Sequence, residues 1–102
     1  MDYLIGSKGN NYLDGQKGGD VDVLKGGGGA DVFQISDGTD FVEDFNIKQG
    51  DRIALTNNGV HMIIDKADGV MIKASNNEKL LLVDTNYDDI IAAGDEIFVI
   101  PV

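Results

Sequence analysis

The chain has no cysteine and no tryptophan, and only one proline and one histidine in 102 residues. Without thiols, disulfides and thiolate metal sites are excluded. The lone His61 has no nucleophile motif beside it, and no H-E-x-x-H is present, so no catalytic constellation is expected. Basic residues are scarce: eight Lys and Arg stand against 18 Asp and Glu, a formal net charge of −10. That balance argues against a nucleic-acid partner and against docking on anionic lipid. No apolar run is long enough to span a membrane. Met1-Asp2-Tyr3 lacks a basic n-region and a long apolar h-region, so an N-terminal signal peptide is not expected. What remains is one domain, with 42% apolar residues available for a modest core.

Glycine and aspartate are what the chain has in abundance. Ten of the fourteen glycines precede residue 40. Residues 26–34 read Gly26-Gly27-Gly28-Gly29-Ala30-Asp31-Val32-Phe33-Gln34, one complete copy of the nonapeptide G-G-x-G-x-D-x-U-x, where U is large and apolar. The glycines let the backbone take positive φ and approach an ion closely. The aspartate supplies a hard anionic oxygen of the kind calcium prefers. The x-U-x tail is a three-residue strand in which U has the parity of the aspartate, so both face inward.

Worn copies precede it. Residues 6–14 carry Ser7 for the second glycine and Asn11 for the aspartate. Residues 17–25 keep Asp22 and Leu24 but have Lys17 and Asp20 where glycines are expected, after a two-residue insertion, Gly15-Gln16. The chain opens on Asp2-Tyr3-Leu4-Ile5, the tail of a further copy, as though cut from a longer array. The pairs Asp2/Leu4, Asn11/Leu13, Asp22/Leu24 and Asp31/Phe33 are separated by 9, 11 and 9 residues. Four tails in phase make chance a poor explanation.

Residues 41–102 are richer in Ile, Val and Leu, and their glycines occur singly. Strands are predicted at 41–45, 51–55 and 79–83. A hairpin of 60–64 with 70–74 is closed by residues 65–69, and a last strand covers 97–100. One or two helical turns are predicted over 88–93, with Gly94 as the stop. A repeat segment as short as 1–40 cannot bury its apolar faces alone, so 41–102 is expected to cap it as an antiparallel sheet or small sandwich. The class is all-β.

These residues resemble the C-terminal RTX (repeat-in-toxin) modules of type I-secreted bacterial proteins, such as serralysin-type metalloproteases, mannuronan epimerase R-modules and large repeat adhesins. The likeness rests on Gly26 to Ile35, on Asp40-Phe41-Val42-Glu43-Asp44-Phe45 and on Gly50-Asp51-Arg52-Ile53-Ala54-Leu55. Asp95-Glu96-Ile97-Phe98-Val99 is similar to the ending such modules carry. The resemblance implies a short parallel β-roll that holds calcium, one to three ions here, between turns on alternate edges. On one edge the loop 6–11 would stack on the loop 26–31. The ligands there would be carbonyls near Gly6, Lys8, Gly27 and Gly29 and the side chains of Asn11 and Asp31. On the other edge the loop 15–22 would stack on the turn 36–40, with Asp22, Asp40, Asp20 and Asp44 as carboxylates. The resemblance also implies secretion through type I machinery, an upstream domain of a larger protein as partner, and folding driven by extracellular calcium. A second reading is a carbohydrate-binding accessory module for a polyanionic polysaccharide.

Three other signals carry less. Residues 84–95 run like an EF-hand loop, with Asp84, Asn86, Asp88 and Asp95 at ligand positions. However, Asp89 replaces the turn glycine and Asp95 the bidentate glutamate, so a polar turn capping a short helix is expected. Gly26 to Gly29 lack the Gly-Lys-Ser/Thr of a phosphate loop. Asp44 and Asp51 could be taken for an acid/base pair, but ligation and turn capping account for both.

Overall fold

The computed structural model describes residues 3–14, 21–36, 38–55, 61–74 and 78–99. Among the described residues, ten strands form two sheets. The strands are β1 (Tyr3–Ile5), β2 (Tyr12–Asp14), β3 (Val21–Lys25), β4 (Val32–Gln34), β5 (Gly38–Val42), β6 (Arg52–Ala54), β7 (His61–Lys66), β8 (Gly69–Ala74), β9 (Glu78–Val83) and β10 (Phe98–Val99). One helix, α1 (Tyr87–Ala93), precedes the last strand. No helix among the described residues is long and apolar enough to cross a membrane.

The first sheet has the order β1-β3-β5-β9-β8-β7 and the second the order β10-β6-β4-β2. Successive strands of the repeat segment therefore alternate between sheets, and each pairs in parallel with the strand two steps along the chain. The repeat tails account for this. Each x-U-x unit is too short to do more than point one apolar side chain inward, and stacking aligns those side chains in columns. Leu4, Leu24, Val42 and Leu82 lie in register across the first sheet. Leu13, Phe33, Ile53 and Phe98 do so across the second. The two columns meet in the core, with Ile35, Leu55, Val70, Ile72, Leu80, Ile90 and Ile97 around them.

The second segment departs from the antiparallel cap expected of it. Only β7, β8 and β9 pair antiparallel, whereas β6, β9 and β10 add to the sheets in parallel. The reason is visible in β6. Asp51-Arg52-Ile53-Ala54 is another D-x-U-x tail, and Ile53 stacks directly on Phe33. The repeat pattern thus runs past residue 40.

Strand limits shift for local reasons. The strand expected over 41–45 instead spans Gly38–Val42, because the chain turns away at Glu43 and Asp44. The hairpin turn is tighter than expected: Lys66 pairs with Gly69, leaving only Ala67 and Asp68 between. Gly69 has φ of 149°, and a Cβ there would collide with the carbonyl of Leu82. Gly69→Ala should therefore destabilise the fold by at least about 1–2 kcal/mol. A urea melt with an unchanged midpoint would contradict this. The helix forms as predicted, capped by the Asn86 side chain, which accepts from the N–H groups of Asp88 and Asp89, and it ends at Gly94.

Candidate metal centre

The parallel stacking creates two edges, and on the first of them loops lie one above another. On the first, loop 26–31 rests on loop 6–11. Gly27 and Gly29 both have φ of 82°. A Cβ at Gly27 would lie 2.9 Å from the Ser7 carbonyl oxygen, and one at Gly29 would lie 2.8 Å from that of Gly9. Only glycine allows that approach, as the nonapeptide reading required. The carbonyl of Lys8 also points at this loop, 2.9 Å from the same position at Gly29. Gly6 joins the stack by donating to Lys25 O at 2.7 Å.

A column of side chains fills the inner face of this edge. Asn11, Asp31 and Asp51 are spaced by 20 residues each, one per layer. Asp31 Oδ1 accepts from the Asn11 backbone N–H at 2.9 Å. Asp51 Oδ1 accepts from the Asp31 N–H at 2.9 Å, and its Oδ2 from the Asn46 N–H at 2.9 Å. Burial raises the Asp51 pKa, opposed by those two backbone hydrogen bonds. Asp31 is fully buried, and its Oδ2 has no hydrogen-bond partner among the described residues.

Asp44 belongs to this edge and not, as expected, to the one with Asp22 and Asp40. Its two oxygens accept from the backbone N–H groups of Gly26 and Gly27, at 2.9 and 2.8 Å. The strand β5 stops at Val42, so the two residues that follow it cross to the loop side. Asp44 and Asp51 are thus turn-capping carboxylates, each tying one layer to its neighbour. Asp51 was the member of the column that sequence reasoning did not place. Its signal was present: a D-x-U-x tail 20 residues after Asp31.

The second edge brings Asp22 and Asp40 together. They are register partners in β3 and β5, two residues before the core positions Leu24 and Val42, and so on the same inward face. Asp22 is 2% exposed and Asp40 0%. Asp40 Oδ2 accepts from the Ser36 hydroxyl at 2.8 Å, while its Oδ1 has no hydrogen-bond partner among the described residues. Burial pushes the Asp40 pKa up to about 6, the Ser36 hydrogen bond opposes the rise, and the carboxyls of Asp22 and Asp14 add to it. Two facing buried carboxylates cannot both ionise cheaply without a counter-charge. Asp20, expected here as a further ligand, lies outside the described residues, as do the rest of 15–20 and Asp37.

Among the described residues, no three His, Cys, Asp or Glu side chains converge as a ready metal cluster. Any cation at either edge would therefore draw on backbone carbonyls and hydroxyls as well as carboxylates. Calcium tolerates such mixed oxygen sets. Residues 84–94 are a turn followed by α1, with Asn86 engaged as the helix cap. His61 begins β7. The chain matches no protein-family model, no curated protein and no solved structure.

Proposed function

We propose that this chain is a non-enzymatic, calcium-binding repeat module of a larger exported protein, folded as a short parallel β-roll. The ion's first site is the edge formed by Asp22 and Asp40, with the Ser36 hydroxyl beside it. The observation that carries this reading is the buried Asp22–Asp40 pair, with one oxygen of Asp40 unpartnered among the described residues. A cation there would take up the orphaned oxygen and replace like-charge repulsion with attraction. The stacked glycine loops and the repeat tails support the same reading from the sequence side.

Binding of this kind couples to folding, since an ion that binds only the native state stabilises it by mass action. Roughly 2.7 kcal/mol is gained when free calcium is 100 times its dissociation constant. The module would be loosely held at submicromolar calcium and firm at millimolar calcium. That difference suits a chain that leaves the cell unfolded through a type I exporter and folds outside. Thermal unfolding followed by circular dichroism should therefore give a midpoint several degrees higher in millimolar calcium than in chelator, with magnesium much less effective. Coincident melting curves in calcium and chelator would sink the proposal.

A further inference from the structure

The side-chain nitrogen of Asn11 is surrounded by oxygen. Nδ2 lies 3.0 Å from Ser7 O, 2.9 Å from Gly9 O, 3.2 Å from Gly26 O and 3.1 Å from Asp31 Oδ1. An amide NH2 has two hydrogens, yet four acceptors from two stacked loops converge on it. Three are carbonyls and one is a buried carboxylate. A convergence of this kind is what a hard cation would gather, at shorter distances, from the same loops. The orientation of the amide follows from its surroundings: Oδ1 in that position would face four acceptors, whereas on the opposite side it receives the Ser7 hydroxyl at 3.3 Å. The residue that replaces the repeat's aspartate is therefore one whose side chain ends in a donor.

We infer that the Asn11 amide is a built-in substitute for the ion, locking loops 6–11 and 26–31 together without calcium. The contact of these two loops at Asp31 Oδ1 would then form without an ion, while the Asp22–Asp40 edge is the calcium-responsive one. Asn11 decides this by one atom. With a carboxylate at that position, two negative groups would face each other across the three carbonyls, and the layer would need a cation. This assignment rests on the calcium-binding reading only for the ion that a variant would gain. The lock itself stands whether or not the second edge binds calcium.

Two measurements test it. In nitrogen–proton correlation spectra of the wild-type chain, the Asn11 side-chain amide should give a resolved, slowly exchanging pair that calcium does not move. Signals of Ser36, Thr39 and Asp40 should shift if the second edge binds the ion. Should those signals also stay still, the calcium reading fails while the lock survives. If calcium shifts or exposes the Asn11 amide, the lock is wrong. In N11D, calorimetry should show one more bound calcium than in wild type, and the chelator-to-calcium rise in melting temperature should be larger. The double variant N11D/D40N should keep that added ion. A stoichiometry unchanged by N11D, measured on protein folded in calcium, would overturn the inference.

Discussion

Asp40→Asn should stabilise the chain in chelator and abolish its response to calcium. Burial, and the Asp22 carboxyl beside it, disfavour the ionised form of Asp40. Its folded pKa of about 6 stands above the ordinary 3.8. The raised value fixes the sign. The ion-free fold holds this proton more tightly than the unfolded chain does. The group's stabilising contribution is fully present below about pH 3.8 and is lost as pH rises through about 6. Remaining ionised at pH 7 then costs on the order of 2–3 kcal/mol. An amide carries no charge, keeps an oxygen for the Ser36 hydroxyl and can donate to Asp22. In chelator the variant should be more stable than wild type by about 1–3 kcal/mol at pH 7 and no more stable at pH 4. In millimolar calcium the order should reverse, since only the wild type gains the ion. Urea melts at the two pH values, with and without calcium, give all four comparisons. A variant less stable than wild type in chelator at pH 7 would contradict the cost assigned to burying the Asp40 charge beside Asp22.

Phe33→Ala should cost about 3–5 kcal/mol, enough to leave a domain this small largely unfolded without calcium. Phe33 is fully buried and stacked between Leu13 and Ile53 in the second sheet. Its ring also meets Phe45, 6.1 Å between centroids at 54°. It is the largest fully buried side chain among the described residues, and it follows Asp31 by two residues, so its loss should loosen the stacked loops as well as the interior. Phe33→Leu should cost far less, because it keeps most of the volume and the parity. Chemical denaturation in saturating calcium separates the two variants. Equal midpoints for both would mean that the Leu13–Phe33–Ile53 column does not organise the fold.

The repeat layers were legible because the D-x-U-x unit encodes parity and spacing together. Asp31 and Phe33 had to share a face, and so did Asp22 and Leu24; both pairs do. Glycines 27 and 29 were legible because their positive φ favours glycine and the approach of the neighbouring loop leaves no room for a Cβ. Asp51 was harder to place. The glycine half of its repeat is replaced by Asn46-Ile47-Lys48-Gln49-Gly50, which forms a 3-10 turn capped by the Asn46 side chain, so only the tail carries the signal. Strand direction beyond residue 40 could not be read locally. Alternation reports which face a side chain takes, and the same alternation serves parallel and antiparallel partners. Asp44 was misplaced for a related reason: its separation of four from Asp40 suggests a shared face only if the strand continues, and it ends at Val42. The orientation of the Asn11 amide depends on Gly26 and Asp31, fifteen and twenty residues away, and no local pattern announces that contact.

On the proposed function, the buried Asp22–Asp40 edge takes up calcium. Calorimetric titration of calcium into the chelator-treated wild-type chain at pH 7, with Asp40→Asn as the control, tests it most directly. Saturable binding of at least one ion by the wild type, absent from the variant, is the predicted result. Equal calcium uptake by both proteins, or none by either, would contradict it.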